Sequence, residues 1–179
     1  SIQGAVVSAR EEASKIGVEI LKKGGNAFDA MVATSFALTV VFPNAGNITG
    51  GGFMVYRTSN GEIGSLDYRE TAPLSSSEDM YLDKNGEVIG DLSRTGGLAV
   101  GVPGSVAGIL EVHKKMGSLP LADLIQPSIE LAKAGFIVTE KQSKSLNSKR
   151  DEFIKVNGDN TFYGKSFKKG DLIKNPNLA

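Results

Sequence analysis

Residues 50–70 run Gly50-Gly51-Gly52-Phe53-Met54-Val55-Tyr56-Arg57-Thr58-Ser59-Asn60-Gly61-Glu62-Ile63-Gly64-Ser65-Leu66-Asp67-Tyr68-Arg69-Glu70. Two strand-like stretches, 53–58 and 62–70, flank Ser59-Asn60-Gly61, and Asn-Gly is the strongest short hairpin signal. Taken as a two-residue turn, Asn60-Gly61 sets Arg69 directly across from Gly52 on one face. Alternation puts Asp67 on that face as well and turns Tyr68 and Glu70 to the other. An arginine opposite a residue without a side chain has open space beside it, with Gly51, Gly52 and Asp67 as candidate walls. Its planar guanidinium can offer a fork of donors to a carboxylate, which lysine cannot reproduce. A structural Arg69 paired with Asp67 at a strand end fits the same spacing equally well.

Working outward toward the N-terminus, residues 26–42 are apolar on nearly every face, the mark of a helix buried centrally, here under the hairpin sheet. Asn26 is suited to its N-cap, with Asp29 in the first turn and Pro43 as its stop. Before it, Ala13, Ile16, Gly17, Ile20 and Leu21 follow one helical face, and Ser8 with Glu11 has the form of a capping box. Residues 4–7 read as a short buried strand. Toward the C-terminus, a second Asn-Gly pair, Asn85-Gly86, separates 80–82 from 88–89, and 98–102 reads as a strand. Val106, Ile109, Leu110 and His113 form the stripe of the next helix. Pro127 suits the first position of another, which Gly135 ends. Past Lys141 the pattern is polar and loop-like, and 175–179 resemble the opening of a helix, as expected of a truncated or processed piece. The layout is α+β.

The chain has 179 residues, with 20 Lys and Arg against 20 Asp and Glu, 22 Gly, one His and no Cys. Zero Cys excludes a disulfide scaffold, a cysteine-ligated zinc and a cysteine nucleophile. Balanced charge argues against a nucleic-acid or membrane-surface partner. The longest apolar run, 30–42, is too short to span a bilayer, and the chain opens with no secretory leader. A single His leaves little basis for a metal site or a His-based triad. His113 reads as a structural residue, and no metal or cofactor is expected.

Several local patterns carry no function. Gly164-Lys165-Ser166 lacks phosphate-loop spacing, since five residues rather than four separate Gly158 from Gly164. Gly97, Gly101, Gly104 and Gly108 do not have dinucleotide-binding spacing and are explained by close packing where a strand turns into a helix. Ser1 as an N-terminal nucleophile and Asn47-Ile48-Thr49 as a glycosylation site are both disfavoured.

Four blocks together carry a resemblance. They are 24–30 (Gly-Gly-Asn-Ala-Phe-Asp-Ala), 47–54 (Asn-Ile-Thr-Gly-Gly-Gly-Phe-Met), 67–73 (Asp-Tyr-Arg-Glu-Thr-Ala-Pro) and 102–108 (Val-Pro-Gly-Ser-Val-Ala-Gly). In this order and spacing they resemble the γ-glutamyltranspeptidase family, with Thr49 standing where the family commonly has another Gly. The resemblance implies an N-terminal-nucleophile hydrolase fold, an αββα sandwich only part of which this chain supplies. It implies that residues 1–179 are the N-terminal portion of a large subunit, without an internal domain boundary, cut from a self-cleaving precursor. The small subunit of that precursor would be its partner. There a new N-terminal Thr would attack the γ-glutamyl amide of glutathione or a similar compound, with its own α-amine as base. Arg69 matches the family's grip on the substrate α-carboxylate. The catalytic residues would all lie outside this chain, which alone should be inactive. An exported, periplasmic or secreted, location follows from the family. A cephalosporin or poly-γ-glutamate acylase, or a non-catalytic binding relative, are the other readings.

Overall fold

The computed structural model describes residues 4–46 and 48–179, so Ser1 and the sequon's Asn47 lie outside the described residues. The chain divides into two compact units. The first takes in residues up to Thr71 together with Val102–Ala134 and Lys174–Ala179, and the second Ala72–Gly101 and Gly135–Ile173.

The first unit is built on two helices, α1 (Glu11–Lys22) and α2 (Ala27–Val41). On α1, Ala13, Gly17 and Ile20 are buried, the spacing of a single apolar face. The Ser8–Glu11 capping box does not form. The N-cap is Arg10, and the Ser8 hydroxyl instead donates to the Arg10 carbonyl at 2.7 Å and pairs with Ser14 Oγ at 2.8 Å. On α2 the expected cap is present: Asn26 Oδ1 accepts from the Phe28 and Asp29 amides, and the Asp29 carboxylate accepts from the Asn26 amide. This reciprocal arrangement satisfies donors that a helix start leaves without partners.

After α2 come the hairpin strands β1 (Phe53–Arg57) and β2 (Ile63–Asp67), paired antiparallel, then the helices α3 (Ser105–Met116) and α4 (Leu121–Ala134). Residues of α1, α2, α3 and α4 form one core: Ile20, Ala30, Val32, Ala33, Ile109, Val112 and Leu124, with Met54 and Leu66 of the hairpin packed against it. Burying each larger member contributes about 1.5–3 kcal/mol. Tyr56 meets Phe28 edge to face, ring centroids 5.6 Å apart, which ties the hairpin to α2. The helix apolar on every face is therefore surrounded, as its composition predicts.

Two further sequence expectations in this unit are corrected. Residues 4–7 form no strand: Val6 packs on the core, while Val7 is 93% exposed and has no strand beside it among the described residues. The helix expected to open at Pro127 begins at Leu121, after Pro120, and holds Pro127 inside it. A proline there removes a single helical donor, and the buried positions Leu124, Ser128 and Ala132 give the helix its packing face. At the last residues, 176–178 form a turn, with the Leu178 amide donating to the Asn175 carbonyl at 3.1 Å and the Ala179 amide to that of Pro176 at 3.3 Å.

The second unit has β3 (Phe136–Ile137), α5 (Glu140–Asn157) and β4 (Leu172–Ile173), with β3 and β4 antiparallel. Helix α5 lies where the sequence reads as polar loop. It has no apolar stripe, but Thr139 and Gln142 form a capping box. Its packing combines hydrogen bonds with one ring contact: Ser143 Oγ and Asn147 Nδ2 both donate to the Phe167 carbonyl at 2.8 Å, Arg150 Nε donates to that of Gly164 at 2.8 Å, and the Phe153 and Tyr163 rings lie 5.4 Å apart. Those positions share one helix face. Around Asn85-Gly86 only an isolated bridge joins Leu82 to Val88. The strand expected at 98–102 is a short 3-10 turn, Gly97–Ala99, and Val102, which belongs to the first unit, bridges Thr71.

Candidate functional site

The hairpin pairing differs by one residue from the two-residue-turn reading. Phe53 faces Asp67 and Arg57 faces Ile63, so the connection is the three-residue loop Ser59-Asn60-Gly61. The Gly61 amide donates to the Thr58 carbonyl at 3.0 Å, and Gly61 has φ 91°, the left-handed residue that closes such a loop. A slip of one moves every cross-strand neighbour. Gly52 consequently faces Tyr68, with amide–carbonyl bonds of 3.3 and 3.0 Å in the two directions. Arg69 lies beside Gly51. Neither glycine opens a space. A Cβ on Gly52 would come within 2.9 Å of the Tyr68 ring, and one on Gly51 within 2.8 Å of the Arg69 Cα and 2.7 Å of the Glu70 carboxylate. They are glycines because other backbone and side chains already occupy that volume.

The alternation itself holds. Met54, Tyr56, Leu66 and Tyr68 point toward the helices, and burial pushes the Tyr68 phenol pKa up. On the other face, Phe53 is 65% exposed, Val55 83% and Ile63 73%. Arg69 joins this open face, its guanidinium carbon 5.5 Å from the centre of the Phe53 ring. A cation over an aromatic face is attracted by the ring's negative face.

Two further groups set the pose of Arg69. Asp67 Oδ1 accepts from the Arg69 backbone amide at 2.9 Å, so Asp67 steadies the main chain and is not the ion-pair partner. That partner is Glu70, whose Oε2 accepts from Arg69 Nε at 2.8 Å. The Arg69 hydrogen bond, foremost, holds the Glu70 carboxyl below its ordinary value, and the pairing raises that of Arg69 in return. With Nε engaged, the two terminal nitrogens of the guanidinium have no hydrogen-bond partner among the described residues, and the side chain is 57% exposed. That is an open, charged fork at the end of an apolar strand face. Strict alternation sent Glu70 to the opposite side, but β2 ends at Asp67 and the rule stops there. The adjacent Arg-Glu pair was the signal for it.

A cleft of about 150 Å³ between α2 and the start of α3 is lined by Leu38, Gly51, Tyr68 and Ser105, among others, and Arg69 does not line it. His113 Nε2 lies 2.8 Å from the Leu119 carbonyl, bracing the turn between α3 and α4. Among the described residues no cluster of His, Asp and Glu could hold a metal ion, and no helix is long and apolar enough to cross a membrane.

A mixed α and β unit thus presents an arginine fork beside an exposed sheet face. The family model for γ-glutamyltranspeptidase matches residues 13–179, and the chain belongs to that family. The glutathione hydrolase proenzyme of Pseudomonas aeruginosa is 46% identical over 178 residues, covering 98% of this chain and 31% of the relative. That of Escherichia coli is 43% identical over 182 residues, covering 99% and 31%. The crystal structure of Helicobacter pylori γ-glutamyltranspeptidase superposes with a TM-score of 0.94 at 43% identity, covering 99% of this chain and 52% of that one. The chain thus spans about a third of the length of these curated relatives.

Proposed function

We propose that this chain is the N-terminal portion of the large subunit of a γ-glutamyl transferase or hydrolase precursor, without an internal domain boundary. Arg69 receives the α-carboxylate of a γ-glutamyl substrate such as glutathione. The observation that carries this reading is the Arg69 fork itself, with Nε tied to Glu70, both terminal nitrogens without a hydrogen-bond partner among the described residues and the group standing on an open sheet face. A carboxylate accepting from both terminal nitrogens would form the paired, charge-assisted contact that guanidinium geometry favours. Gly51 and Gly52 are the wall that lets the Gly-rich strand lie close to Arg69 and Tyr68, and Asp67 holds the main chain.

The nucleophile, the oxyanion donors and the groups for the substrate amine belong to the rest of the precursor. A Thr freed at the start of the small subunit attacks the γ-glutamyl carbonyl; its α-amine takes the hydroxyl proton and passes it to the amine that departs as the amide C–N bond breaks. The resulting acyl-enzyme is resolved by water or by an acceptor amine. The exposed face with Phe53, Val55 and Ile63 is the inner face of one sheet of an αββα sandwich, covered by a second sheet from elsewhere in the precursor. Export to the periplasm or beyond accords with the family resemblance.

Arg69→Lys in the full-length, self-cleaved protein tests the reading. Lysine keeps the charge but loses the fork. For a γ-glutamyl anilide, kcat/KM should fall by about 2–3 kcal/mol of transition-state stabilisation, roughly 30- to 150-fold, with self-cleavage intact. Unchanged kcat/KM would refute the role of Arg69.

A further inference from the structure

The main chain bearing Arg69 is held on both sides. Before it, Tyr68 exchanges hydrogen bonds with Gly52, and after Glu70, Thr71 and Val102 exchange a second pair at 3.2 and 2.8 Å. From Val102 the chain turns directly into α3, and the Gly104 and Ser105 amides both donate to the Gly50 carbonyl at 2.9 Å. The start of α3 is thereby drawn onto the hairpin end. Two glycines permit the approach. A Cβ on Gly104 would overlap the Tyr68 carbonyl and lie 2.9 Å from that of Arg69. A Cβ on Gly108, one helical turn on, would overlap the Tyr68 ring and lie 2.5 Å from its Cβ. The two stand on one face of α3 and bear on a single dipeptide.

We propose that Gly104 and Gly108 are positioning residues for Arg69: the first turn of α3 lies against the Tyr68–Arg69 backbone and sets the direction in which the guanidinium fork faces the substrate carboxylate. This rests on the reading of Arg69 as the carboxylate-holding group. Tyr68 is the lever between them, since its ring fills the hollow over Gly108 and its carbonyl meets Gly104. A methyl group at 108 pushes the ring and its main chain outward. Displacements of about 1 Å at a group that orients substrate cost up to about 100-fold in rate.

The test compares two anilides in the full-length, self-cleaved protein: γ-glutamyl anilide and 4-aminobutyryl anilide, which lacks only the α-carboxylate. The wild type is expected to prefer the first. Gly108→Ala should cut that preference about tenfold or more, chiefly through KM for the γ-glutamyl compound, and leave turnover of the other within about twofold. In an Arg69→Lys background, Gly108→Ala should add nothing to the loss, because both changes act on one contact. If Gly108→Ala does not yield folded protein, Tyr68→Leu, which crowds nothing, should reduce the preference several-fold. An equal fall for both anilides, or independent losses in the double variant, overturns the positioning role alone. So does a preference that survives both Gly108→Ala and Tyr68→Leu. A wild type that turns over both anilides alike overturns the Arg69 reading, and the positioning role with it.

Discussion

The carboxylate of Asp29 is fully buried and accepts four hydrogen bonds: from the Asn26, Ser118 and Leu119 amides and, at 2.5 Å, from Ser118 Oγ. Burial, the largest single influence, raises its pKa, but the hydrogen bonds from Ser118, Asn26 and Leu119 together outweigh it and leave the group below the ordinary 3.8. A carboxyl depressed on folding adds stability that is fully present above its unfolded value and is lost as pH falls through its folded one. Asp29→Asn should therefore cost about 2–4 kcal/mol at pH 7, because a buried amide cannot accept all four donors. Urea midpoints for wild type and variant should converge as pH drops below about 4; a constant difference down to pH 2 would contradict this. Asp29 was visible from sequence only as a first-turn acid. Its ties to Ser118 and Leu119 span about ninety positions, and no local pattern reports them. Arg69 was marked in the sequence by the Asp67-Tyr68-Arg69-Glu70 block, whereas the open space expected beside it at Gly52 is filled by Tyr68. Its actual partner, Glu70, was not legible, since that depended on where β2 stops.

At the scale of elements, helices with an apolar stripe or an all-round apolar surface were plain, and α5 was not. The hydrogen bonds that hold α5 to Phe167 and Gly164 come from Ser, Asn and Arg, residues that a hydrophobic periodicity ignores. Its start signal was nevertheless present in Thr139-x-x-Gln142. Thr139→Ala should destabilise α5 by about 0.5–2 kcal/mol, seen as faster amide exchange through its first turn. Unaltered exchange there would show that the packing onto Phe167 carries the helix without its cap. Ser8 teaches the converse: a sequence with capping-box form fails when the hydroxyl finds a nearer carbonyl and another hydroxyl. In the hairpin, Asn60-Gly61 announced the turn correctly and its length wrongly. A two-residue turn and a three-residue loop closed by a left-handed glycine share that dipeptide.

At the scale of the molecule, the hairpin has a strand face whose apolar side chains are exposed among the described residues. Val55 is its most exposed apolar member, flanked by Phe53 and Ile63. In the proposed precursor that face is buried, and each such side chain contributes about 1.5–3 kcal/mol there. Val55→Lys should therefore impair folding and self-cleavage of the full-length protein, read as retention of the uncut precursor on a denaturing gel. Normal processing would mean that the face stays open to solvent. The amino-acid sequence by itself determined the helical core, the hairpin's existence and the family, because composition, short-range periodicity and four ordered blocks are local properties. Only the tertiary structure decided the pairing register, the Glu70 tether and the clamp of Gly104 and Gly108 on Tyr68. Each of these depends on which atoms meet across dozens of residues, and steric exclusion at a glycine shows only when its neighbour from a distant segment is in place.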